Sequence, residues 1–240
     1  MRAAGSSWQE RWTPLLAVAV LVALSASCRT NKAEDRSLTV LLTGFEPFGQ
    51  HRTNSSWEAI KDIAPDAVTG AQIEIAQLPV DHARATRRLN QALRESKPEV
   101  VICFGMAARR KTVSLELKAH NLDREIAFGA SGPVWKNSPI VTGGPETYAP
   151  TLHIEQIRTA LKTAGVPVRR SPNAGSYVCN HVFYRLMHVT RRRSTCAGFV
   201  HVPAIRSKPM EGLTRQQLRR AAMTIVRAEI AAIRKERTPR

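Results

Sequence analysis

The chain has 240 residues, 43% hydrophobic and 23% charged, which suits one sizeable core and excludes a wholly disordered polymer. Its 36 basic and 19 acidic residues give a net charge of +17, a balance that bears on partners and solubility rather than on fold. Aromatic residues make up only 5%, and neither a basic–aromatic interleave, a zinc-finger spacing nor an RNP-like run occurs, so specific nucleic-acid binding is not expected.

The first segment does not read as part of a fold. Arg2 and Arg11 precede an apolar run at residues 15–24, and Ser25, Ala26 and Ser27 follow it, the layout of a bacterial secretory signal. The run is too short for a comfortable membrane span. Cys28 comes directly after the small residues, as in a lipoprotein box, although the aliphatic Leu24 stands one place early. The expectation is an exported protein, periplasmic or anchored through Cys28; cytoplasmic residence, with an uncleaved anchor or a misassigned start, is the alternative. Residues 1–28 are thus a leader, 29–37 a polar tether, and 38–240 one folded domain without an internal linker.

From residue 38 strand-like and helix-like segments alternate. Residues 38–42 are an apolar run closed by Thr43 and Gly44, which reads as a buried strand. Residues 56–63 read as a helix, 72–78 as a strand ended by Pro79, and 83–96 as a helix with Ala85, Leu89, Ala92 and Leu93 on one face. Residues 100–104 form a second buried strand pattern, and 113–119 alternate. Residues 120–150 lack periodicity and read as a long functional or interfacial excursion. A helix at 152–164, strands at 166–170 and 199–202, a helix at 179–189 and a last helix at about 211–236 complete the series. Such alternation predicts a single three-layer α/β/α sandwich around a twisted, largely parallel sheet.

Functional groups in open α/β sheets collect at strand ends. Phe45 and Phe48 stand on the glycine-bounded loop after the first strand, where they either pack beneath it or wall an apolar slot for a small flat group. Glu116 lies between Leu115 and Leu117; it is either on the exposed face of an edge strand or buried with a partner such as Arg110, because an unpaired buried carboxylate costs several kcal/mol. Cys179 follows the turn at Gly175 and opens a helix, where the macrodipole favours a reactive thiolate, although buried structural cysteines are commoner. A thiol needs a base, and His181 and His201 are both available; spacing does not choose between them.

Taken together, residues 41–57, 105–121, 171–184 and 198–203 resemble the pyroglutamyl-peptidase I family of cysteine peptidases. The resemblance covers about residues 38–205 and implies an enzyme that removes N-terminal pyroglutamate from peptides, without metal or cofactor. It implies Cys179 as nucleophile, His201 as base and Glu116 as orienting group, with Phe45, Phe48, Asn54, Met106, Tyr177 and Val178 at substrate-binding positions. The chain departs from the family pattern at Met106, where Gln is usual, at Leu115 and Ser55, where Pro is usual, and across residues 122–135. These departures leave open a same-scaffold amidohydrolase of altered specificity. The charge and leader leave open a non-catalytic basic module on an anionic envelope surface, and a homo-oligomer is compatible with all three. In an oxidising compartment a disulfide between Cys103 and Cys196 is conceivable.

Overall fold

A computed structural model describes residues 37–129, 132–206 and 212–238, with backbone alone for 125–136. The leader with Cys28, and the tether up to residue 36, lie outside the described residues.

The apolar runs become the central sheet because both of their faces are covered. Strand β1 (Leu38–Phe45) is flanked by β2 (Ala71–Leu78) and β3 (Val100–Met106), and β3 by β10 (Cys196–Val202), all parallel. Beyond β10, β4 (Val113–Glu116) runs antiparallel to it, and β9 (Val168–Ser171) pairs parallel with β4. The sheet order is β2-β1-β3-β10-β4-β9, so the sheet is mostly, not wholly, parallel.

Side chains alternate across the strands and feed two separate cores. Val40, Leu42, Val100 and Ile102 pack with residues of α3 (Ile154–Thr163) and α5 (Arg215–Arg237). Their neighbours Leu41, Val101 and Cys103 pack on the opposite face with α2 (His82–Ser96) and α4 (Val178–Thr190). The expected three layers follow from this division.

Several segments differ from expectation. The helix expected at 56–63 is a short α1 (Ser55–Glu58) followed by turns. Ala59, Ile60 and Ile63 are fully or nearly buried, so they supply a helix-like apolar pattern without a continuous helix. The strand expected at 113–119 ends at Glu116. Ala119–His120 (β5) instead pairs antiparallel with Thr147–Tyr148 (β8). The aperiodic excursion contains a further ribbon, β6 (Asp123–Gly129) with β7 (Gly132–Ser138). Two buried or half-buried amides fasten it. Asn121 bridges to Val141 and Gly144, and Asn180 of α4 bonds the backbone of His120 and Leu122.

Cys103 and Cys196 are free thiols. Cys196 stands opposite Val100 and Phe199 opposite Cys103, so the two cysteines are offset by three residues along neighbouring strands. At about 3.3 Å per residue this is roughly 10 Å, beyond the reach of a disulfide.

Candidate active site

The chain reverses its direction of travel across the sheet at β1 and β3, and the carboxyl ends of β1, β3 and β10 meet there. In an open α/β sheet this is where a crevice forms. The crevice is a cleft of about 580 Å³ lined by Phe45, Met106 and His201 from these strand ends, with Phe48, Asn54, Tyr177, Val178 and Cys179 around them.

Cys179 is the second residue of α4, whose N-cap is Tyr177. No side chain caps this helix, so its first-turn N–H groups have neither intrahelical nor side-chain acceptors at the cap. The Sγ lies over Gly105: a Cβ added there would sit 2.9 Å from Sγ and 2.7 Å from the Phe199 ring. Glycine is therefore required for the strand to pass beneath the thiol. His201 is the register partner of Gly105 on β10, which brings the imidazole beside the same point.

The antiparallel pairing of β4 explains how Glu116 reaches His201. His201 stands opposite Ser114, and Glu116 is two residues further on the same face. Its Oε1 accepts from His201 Nδ1 at 2.8 Å and from Arg110 Nη1. Arg110 is held in turn by the Asn173 carbonyl at 3.1 Å. Glu116 is fully buried on an interior strand, which removes the exposed-edge reading. With Nδ1 donating to the carboxylate, Nε2 carries the imidazole lone pair.

Burial lowers the His201 pKa and outweighs the opposing pull of Glu116, with Arg110 adding to the fall. Burial pushes the Cys179 thiol up to about 12, helped by the Glu116 charge and resisted by Arg110. This corrects the expectation of a lowered thiol: the helix N-terminus favours thiolate, but the apolar surroundings weigh more. Both shifts favour a neutral thiol beside a neutral imidazole.

The remaining candidates fall around the cleft in different roles. Phe45 is buried and serves both core and wall, whereas Phe48 is 38% exposed at the rim. Phe45 is thus packed as the first reading had it, and both rings line the cleft. Asn54 is buried and its amide is engaged: Nδ2 donates to the Glu46 carbonyl, and Oδ1 accepts from Ser56 N and Oγ. It shapes the loop that carries the phenylalanines. Met106 and Val178 are buried apolar walls, and Tyr177 is 54% exposed at the mouth. His181 is turned away from Cys179 toward Asp123 and Thr86. Sequence reasoning missed His82, which lines the cleft from the start of α2, because nothing in its local pattern marks it.

A cysteine beside a histidine that is itself oriented by a buried carboxylate, at the strand ends of an α/β sandwich, defines a thiol hydrolase. Residues 38–236 match the family model described as pyroglutamyl peptidase, and the chain belongs to that family. It is similar to the pyrrolidone-carboxylate peptidase of Clavibacter michiganensis subsp. michiganensis, 41% identical over 199 residues that cover 80% of this chain and 93% of the relative. The protein of the same name from Thermococcus onnurineus is 35% identical over 81% of this chain and 100% of its own length. Among solved structures, pyroglutamyl peptidase I from Bacillus amyloliquefaciens superposes with a TM-score of 0.73 at 32% identity, covering 80% of this chain and 95% of that one. Pyrrolidone carboxyl peptidase from Thermococcus litoralis gives 0.75 at 28% identity, covering 83% and 96%.

Proposed function

We propose that this enzyme releases N-terminal pyroglutamate from peptides through a thioester on Cys179, with His201 as base and Glu116 as the group that orients it. The observation that carries the reading is the convergence of the Glu116–His201 hydrogen bond and the Cys179 thiol on one apolar cleft.

A resting pair biased toward the neutral forms sets the order of events. Proton transfer from Sγ to His201 Nε2 accompanies attack of sulfur on the carbonyl that joins the lactam to the next residue. The imidazolium that forms is stabilised by Glu116, whose Oε1 already accepts from Nδ1. First-turn N–H groups of α4, beside Cys179, would hold the oxyanion, worth about 3 kcal/mol each. Collapse breaks the C–N bond, and His201 gives its proton to the leaving amine. Water then attacks the thioester, with His201 again as base, and frees the acid and the thiol. The ring fits between Phe45, Phe48, Met106 and Val178, an apolar slot suited to a flat lactam without a charged amine.

The same proposal extends to location. The leader-like residues 1–28 precede the start of the family match at residue 38, which favours export with Cys28 as a point of attachment. The net charge of +17 would draw the protein to an anionic envelope surface.

The decisive experiment follows release of a fluorescent amine from a pyroglutamyl amide by residues 37–240 under reducing conditions, alongside Cys179→Ala. The expected result is turnover by the parent and background release by the variant. A folded parent that leaves the amide intact would overturn the proposal.

A further inference from the structure

Behind one wall of the cleft lies a polar cluster that the peptidase reaction does not use. His82 opens α2, Asp123 opens β6, and His181 sits on α4 two residues after Cys179. Asp123 and His181 are buried. His181 Nδ1 is 2.6 Å from Asp123 Oδ2, and its Nε2 is 2.8 Å from Thr86 Oγ1. The His82 ring meets the His181 ring edge-on, with centroids 5.0 Å apart.

Two atoms of this cluster are buried without a hydrogen bond, His82 Nε2 and Asp123 Oδ1. They face each other across 3.8 Å. That gap is too long for a hydrogen bond, and leaving both atoms desolvated and unpaired is costly. It is, however, the separation of two ligands each about 2.1 Å from a shared ion at an angle of roughly 130°. One ligand atom from each of His82, Asp123 and His181 lies within 4.8 Å of the other two.

We propose that His82, Asp123 and His181 form a binding site for a divalent transition metal of the zinc class. Two imidazoles and one carboxylate select such an ion over calcium or magnesium, which prefer all-oxygen shells. Three protein ligands leave the fourth tetrahedral position to water. When the ion takes Nδ1, the single ring proton of His181 passes through solvent from Nδ1 to Nε2, and Nε2–H then donates to Thr86 Oγ1. That hydroxyl is placed as an outer-shell partner that fixes the tautomer of a metal-bound histidine. The ion would join the first turn of α2, the start of β6 and α4, and hold His82 rigid in the cleft wall. The site stands independently of the peptidase reading.

A second cluster, His153, Cys196 and Glu229, and the active thiol are competing zinc ligands, so the test removes the two thiols. The Cys179→Ala/Cys196→Ala protein is dialysed against zinc and melted with and without it. The expected result is one bound zinc per chain and a raised Tm, both lost when His82→Gln is added. Thr86→Val in the same background should weaken binding about tenfold. If the double variant does not fold, Cys179→Ala alone serves, and His82→Gln should then lower uptake by one equivalent. Absence of zinc uptake in the folded background, or equal uptake after His82→Gln, would overturn the site.

Discussion

At the scale of single residues, the chemistry turns on which neighbours burial allows. Glu116 spends Oε1 on both His201 and Arg110, so one buried oxygen both orients the base and meets the fixed cation. Glu116→Gln keeps the shape but loses the charge that stabilises imidazolium. We expect kcat to fall by about 10²–10⁴. Glu116 also raises the His201 pKa against the fall caused by burial, so the acid limb of kcat/KM should move down in the variant. A pH–rate profile measures both effects. Gly105→Ala tests the close passage under the thiol. The new methyl would meet Phe199 and Sγ, at a cost of about 1–3 kcal/mol from overpacking, and activity should fall with the displaced sulfur. Unchanged Tm and turnover would contradict that packing. Cys179 was legible because Gly175 and the helical pattern after it mark a helix start. His201 was not distinguishable from His181 by spacing, since the difference depends on β10 lying beside β4. The thiol's raised pKa was hidden for the same reason: the apolar surroundings that outweigh the helix terminus come from other strands.

Between elements, the tie of α3 to α5 carries a pH dependence of its own. Glu229 of α5 is fully buried and accepts from both the backbone N and Nδ1 of His153, the N-cap residue of α3, while Nε2 reaches Glu236 at 3.0 Å. Burial would lower the His153 pKa, but the hydrogen bonds and charges of Glu229 and Glu236 together raise it above 6.5. A histidine with a raised folded pKa stabilises the fold fully below the unfolded value and loses that contribution as pH rises through the folded value. The Tm difference between the parent and His153→Gln should therefore be largest below pH 6.5 and shrink above it. A difference that grows with pH would reverse the assignment. The central strands β1, β3 and β10 were readable because apolar runs buried on both faces have few other uses. The reversed direction of β4 was not, because its four residues read alike in either orientation and only pairing to β10 and β9 sets it. The over-long reading of α1 has a similar origin, since three buried apolar residues at helical spacing also suit packed turns.

For the molecule as a whole, the fold begins where the family match begins. Leu38, the first residue of β1, is 1% exposed and already paired with Ala71, at the residue where the family match starts. If Cys28 is the point of attachment proposed above, location and activity should separate genetically. A lipoprotein-type cysteine carries more than one acyl chain, which anchors at any salt, and basic charge adds a second, salt-dependent attraction. The excess of 36 basic over 19 acidic residues supplies one. In a bacterial host the full chain should therefore sediment with membranes at low and at high salt, retaining pyroglutamyl-amide turnover. Cys28→Ser should keep turnover but leave only electrostatic adhesion, which high salt releases because exposed charges are screened within about 10 Å at 0.1 M. Fractionation of both proteins across a salt series reads the outcome. If Cys28→Ser remains in the pellet at high salt, the apolar run at residues 15–24 is an uncleaved anchor, and if the parent is soluble at every salt, neither the lipid nor the charge holds it to a surface.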